Sequence, residues 1–79
     1  MKHAREDYNR IQDPAGKIAE DEPVFLLRAK DKVAPAAVRA WAEFHRLSGG
    51  DPMLSKMAFE HAELMEEWQT NNGCKSADL

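Results

Sequence analysis

Glu22-Pro23-Val24-Phe25-Leu26-Leu27-Arg28-Ala29-Lys30-Asp31-Lys32 decides how this chain is read. Four consecutive apolar residues, Val24 to Leu27, follow a breaker at Pro23 and run into alternating cations around Asp31. A short run with an apolar centre after a breaker predicts a strand over Val24–Ala29. An early start to the next helix is the alternative, because Leu, Arg, Ala and Lys all favour helix.

Downstream, Ala34-Pro35 opens an alanine-rich stretch. Proline is favoured at the first helical position, where its missing N–H has no intrahelical partner to lose. A first helix is predicted over about Pro35–Ser48. Ala37, Trp41, Phe44 and Leu47 make its apolar stripe, widened by Val38, with Arg39, Glu43 and Arg46 opposite. Gly49-Gly50 stops it. Asp51 then caps a second helix with Pro52 at its first position. That helix runs to about Gln69, with Leu54, Met57, Ala58, His61, Leu64, Met65 and Trp68 on one stripe. Trp41 and Trp68 are expected in the core between the two helices. The Gly-Gly-Asp-Pro connection predicts an antiparallel helical hairpin.

Upstream, Asp13-Pro14-Ala15-Gly16 reads as a turn and Lys17–Glu22 as an acidic connector. The chain divides into an N-terminal arm and connector (1–22), a strand plus two-helix core (23–70) and a flexible C-terminal tail (71–79). The fold class is mainly α. A single strand leaves ladder groups unpaired. Lys17–Ala19 offers a short polar partner; the same strand in a second copy satisfies the edges by symmetry. Val24, Phe25, Leu26 and Leu27 are therefore the expected self-association residues of a homodimer or higher oligomer.

Seventy-nine residues bury a modest core, and chains of this size often need an added source of stability. The lone cysteine, Cys74, excludes an intrachain disulfide and fits a reducing, cytoplasmic setting. The start of the chain reads as no secretory leader, and no run approaches the ~20 apolar residues of a membrane span. Net charge is −3, which argues against a dedicated nucleic-acid binder. It is unevenly spread: residues 24–50 carry five cations and two acids, residues 51–79 two cations and six acids. Such asymmetry steers an anion to the middle or pairs one subunit with another.

His3, His45 and His61 lack the spacing of a zinc site, so no metal or cofactor is expected. His61 is read as packed with one ring nitrogen bonded, His45 as exposed or at a boundary. His61-Ala62-Glu63 echoes zinc deaminases without their Pro-Cys-x-x-Cys partner. No nucleophile elbow, P-loop or dinucleotide fingerprint is present, and the chain reads as a non-enzyme. Glu60, Glu63, Glu66 and Glu67 form either a solvated helix face or a mimic of nucleic-acid phosphates.

The candidate ligand-binding residues are Phe25, Arg28, Lys30, Asp31, Lys32 and Arg39. Strand period puts Arg28 and Lys30 on one face, and the amides opening the first helix are able to bind an anion. Asp31 suits a ribose hydroxyl or exocyclic amine, and Phe25, Tyr8 or Trp41 can stack a base. The plainer reading is a solvated charge cluster with Asp31 capping the helix.

Arg10-Ile11-Gln12-Asp13-Pro14-Ala15-Gly16-Lys17-Ile18, then Glu20-Asp21-Glu22-Pro23-Val24-Phe25-Leu26-Leu27-Arg28-Ala29-Lys30-Asp31, then Ala34-Pro35 and Val38-Arg39-Ala40-Trp41-Ala42, together resemble small accessory proteins of tailed phages and prophages. The similarity runs from Tyr8 to Trp68. It implies a genomic setting rather than an activity and transfers no catalytic residue. Short phage accessory proteins commonly work by binding: some block a host defence protein, others assemble into oligomers that trap a cyclic-nucleotide signal. The expectation is a non-enzymatic, oligomeric protein of the bacterial cytoplasm that counters host defence, with capture of an anionic cyclic nucleotide ahead. A protein–protein inhibitor of a host defence complex, in the manner of anti-CRISPR proteins, acting through the acidic helix face or the Tyr8–Ile18 arm, comes second. A structural or regulatory phage accessory comes third.

Overall fold

The computed structural model describes residues 1–5, 7–8 and 13–77. Expectations for Arg10, Ile11, Gln12 and the last two residues lie outside them. The element order is β1 (Lys2–His3), β2 (Pro23–Val24), α1 (Ala34–Leu47) and α2 (Pro52–Asn72). The protein is mainly helical, and no helix among the described residues is long and apolar enough to cross a membrane.

The strand expected over Val24–Ala29 is only Pro23–Val24, and it is not a lone strand. It pairs in parallel with β1, Lys2 opposite Pro23 and His3 opposite Val24. The Lys2 N–H donates to the Glu22 carbonyl at 2.8 Å. Pro23 has no N–H to give a ladder, which suits it to so short an edge pairing. The apolar run continues as irregular chain, with Leu26 and Leu27 half-buried and Phe25 exposed. β1 thus supplies a partner from the same chain along one edge of β2.

The turn at Asp13–Gly16 closes with the Gly16 N–H donating to the Asp13 carbonyl at 3.0 Å. Gly16 takes a φ of 63°, and the Asp13 carboxylate accepts from the Ile18 N–H at 2.8 Å. At the other end, the expected flexible tail is tied down in part. α2 continues through Asn72, and Lys75 bridges in parallel to Asp31. The Lys32 N–H donates to the Lys75 carbonyl and the Lys75 N–H to the Lys30 carbonyl, each at 2.9 Å.

Helix α1 is alanine-rich, with proline in its first turn, both favourable to helix. It stops at Ser48-Gly49-Gly50, where Gly49 has a φ of 83°. The Asp51 side chain accepts from the Met53 N–H at 2.9 Å, fixing the start of α2. Gly73, at φ 81°, ends α2 and donates its N–H to the Gln69 carbonyl.

The two helices pack on each other, and all their buried residues but Met65 are small or proline. Ala34, Pro35 and Ala42 of α1 and Ser55, Ala62 and Met65 of α2 are the buried residues of these helices. This corrects the expected core. Trp41 is 52% exposed, Phe44 71% and Trp68 41%, with Leu47, Leu54, Met57 and Leu64 likewise exposed. Both helices carry apolar residues over more than one face. The alanine and serine side lets the axes approach most closely, and it takes the contact. Of the large stripe residues on α2, Met65 is buried as expected, while Leu54, Met57, Leu64 and Trp68 are left on an adjacent face.

Candidate ligand cleft

The connector between β2 and α1, the N-terminal arm and the returning C-terminal segment meet around one cleft of about 430 Å³ including its mouth. Phe25, Arg28, Lys30 and Asp31 line it, joined by Arg5, Tyr8 and Lys75. Four cations thus surround one carboxylate and two aromatic rings. The turn at Ala29-Lys30 and the bridge at Asp31 set the spacing. The side-chain amide of Gln69 on α2 holds this connector from beneath, donating to the carbonyls of Ala29 at 2.8 Å and Asp31 at 3.0 Å.

The cations differ in how committed they are. Arg5 forms a two-point ion pair with Asp7, at 3.0 and 2.9 Å. Its guanidinium carbon also lies 5.0 Å from the Tyr8 ring centroid, within cation–π range. Arg28 reaches the Tyr8 hydroxyl at a long 3.4 Å, so its fork keeps most of its donors available to a ligand. Lys30 is exposed and makes no ion pair with the described residues.

Asp31 has a structural task. Its carboxylate accepts from the Val33 N–H at 3.0 Å, and its carbonyl accepts from the Ala34 N–H at 3.0 Å. These bonds use amides at the start of α1 that the sequence reading offered to an anion. Any attraction for an anion in the cleft therefore rests on the side-chain cations.

Two of the six candidate residues do not join the cleft. Lys32 is exposed and outside its lining. Arg39 sits on α1 and is held by the Glu66 carboxylate of α2. That hydrogen bond, with the charges of Glu66 and Glu63, raises the Arg39 proton affinity further, against a smaller loss from burial. Arg5 and Lys75 escaped sequence reading because they arrive from opposite ends of the chain. Their only signal was a cation in each terminal segment.

His45 lies at a boundary, as expected, but His61 is not packed. His61 is exposed on α2, whereas His45 is half-buried against Trp41. No group of three or more His, Cys, Asp or Glu comes together among the described residues in a way that could hold a metal. Cys74 is exposed.

No family model, no curated protein and no solved structure matches this chain.

Proposed function

We propose that this is a non-enzymatic binding protein of phage type that counters a host defence by sequestering an anionic nucleotide in the cleft. The observation that carries this reading is the convergence of Arg5, Arg28, Lys30 and Lys75 with Phe25 and Tyr8 around one concavity. Charge-assisted hydrogen bonds from guanidinium and ammonium groups suit phosphate oxygens. An exposed phenyl ring offers a face for a base. The reading places the protein in the cytoplasm of the bacterial host and needs no cofactor.

The reading takes α1 and α2 as an antiparallel hairpin. Its support is the pairing of Arg39, in the first half of α1, with Glu66, in the last third of α2, across a four-residue connection.

Calorimetry against cyclic di- and trinucleotides and ADP-ribose derivatives tests the proposal. Binding that weakens as salt rises, and that Arg28→Ala abolishes without loss of folding, is the expected result. No heat or thermal shift with any of them overturns it. The rival reading, inhibition of a host defence complex, draws on the exposed carboxylates of Glu60, Glu63 and Glu67 beside Glu66. Co-purification of a host protein that Glu60→Lys and Glu67→Lys release favours it.

A further inference from the structure

We infer that α1 and α2 dock against the same two helices of a second copy, completing a four-helix core that one chain leaves half-built. Trp41 and Phe44 of α1 and Leu54, Met57, Leu64 and Trp68 of α2 are all exposed. On α2 these residues, with the exposed His61 between them, recur with the alternating three- and four-residue steps of a helix-packing seam. The buried face of the same helix, at Ser55, Ala62 and Met65, is already used within the chain.

Counting ~100° per residue, each exposed stripe lies roughly a third of a turn from its helix's buried face. The displacement has the same sense on both helices. For antiparallel neighbours, that sense brings the two stripes to one side of the pair. They form a continuous apolar surface, and helix pairs with this pattern close into four-helix bundles.

The area agrees with one more copy. The chain exposes 6061 Å² at a mass of 8.9 kDa, where a folded monomer of that mass exposes about 4,800 Å². The excess of about 1,200 Å² exceeds the roughly 800 Å² each partner buries in a standard interface and reaches the obligate range.

The occupant follows from what the single chain lacks. Among the described residues no large side chain is fully buried, and the fully buried core residues are alanines. A partner needed for the fold itself has to be present whenever the chain is, and a second copy meets that condition. The carboxylates of Glu60 and Glu67 flank the α2 stripe and disfavour an anionic membrane surface. The docking runs through the helix faces and does not use Val24–Leu27.

Light scattering and thermal melts of the full chain, without ligand, decide the matter separately from nucleotide binding. The expected mass is about twice 8.9 kDa at micromolar concentration. The melting temperature should climb with protein concentration over a roughly tenfold range, as dissociation coupled to unfolding requires. Leu64→Glu and Phe44→Glu should each abolish the dimer. If they also unfold the chain, the concentration dependence of the wild-type melt carries the test alone. A cooperative melt independent of concentration, with a mass near 8.9 kDa, overturns the inference. So does a dimer that survives both glutamate variants but dissociates in Leu27→Asp.

Discussion

The His45 imidazole lies parallel to the Trp41 indole, ring centroids 4.8 Å apart and planes inclined by 11°. The two residues are one helical turn apart on α1. The far edge of the imidazole faces the connection to α2. A Cβ built on Gly50 would come 2.3 Å from His45 Nε2 and 2.4 Å from Cε1. The connection is therefore fitted to a stacked ring, and Gly50 is small because the ring is there rather than for backbone freedom.

Gly50→Ala should accordingly push the imidazole off Trp41. The ring is half-buried and can give way, so the cost should be about 1 kcal/mol, at the low end of overpacking penalties. The check is a double-mutant cycle by thermal or denaturant melts. His45→Ala makes room, so in its background the Gly50→Ala penalty should vanish. Additive losses would show that the ring does not set the size of residue 50.

The start of α2 gives a simpler expectation. Asp51 takes an extended backbone conformation and accepts from the Met53 N–H. Asp51→Ala should destabilise the protein by about 1 kcal/mol, and Asp51→Asn by much less, since asparagine caps nearly as well. Equal losses in urea titrations of the two variants would mean that the carboxylate acts otherwise than as a cap.

These two positions show where the sequence is readable. The Asp51-Pro52 start of α2 is a local event, decided by a side chain and an amide two residues apart, and it was legible. The ends of α1 were legible to within a residue for the same reason. The packing face was not. Trp41 and Trp68 lie on the strongest apolar stripes, yet Ala42 and Ala62 make the buried contact, because closeness of approach competes with side-chain size. The pairing of Val24 with His3 joins distant segments and leaves no periodic signal. The cleft divides similarly: Arg28, Lys30 and Asp31 are neighbours in sequence, whereas Arg5 and Lys75 meet them only after both ends fold back.

On the outer face of α1, the hydrogen bond from Arg46 holds the Glu43 carboxyl below its usual value of 4.5, helped by the Arg46 charge and opposed by burial. A carboxyl with a lowered folded pKa stabilises fully above its unfolded pKa and loses that contribution as pH falls through the folded one. The pair is exposed, so the effect is small and screened by salt. Glu43→Gln should melt slightly below wild type at neutral pH, and the gap should close below the ordinary glutamate range. A gap unchanged by acid would assign the effect to helix propensity instead.

Gln69 joins the fold to the cleft. Its amide donates to both Ala29 and Asp31 carbonyls from a half-buried position on α2. Gln69→Leu keeps the apolar bulk but takes its amide donor from both carbonyls; the Asp31 carbonyl still accepts from the Ala34 N–H, so the loss falls mainly on Ala29. Leaving a buried polar group unpaired costs ~1–3 kcal/mol. The loss should be concentrated in the connector, because the buried helix contact at Ala42 and Ala62 is untouched. Hydrogen exchange should quicken at Lys32 and Lys75, whose N–H groups bond across the bridge, while protection near Ala62 stays close to wild type. Ligand affinity should fall with it, since Arg28 and Lys30 ride on the same connector. Uniformly faster exchange along α2 would show that Gln69 supports the helices rather than the cleft wall.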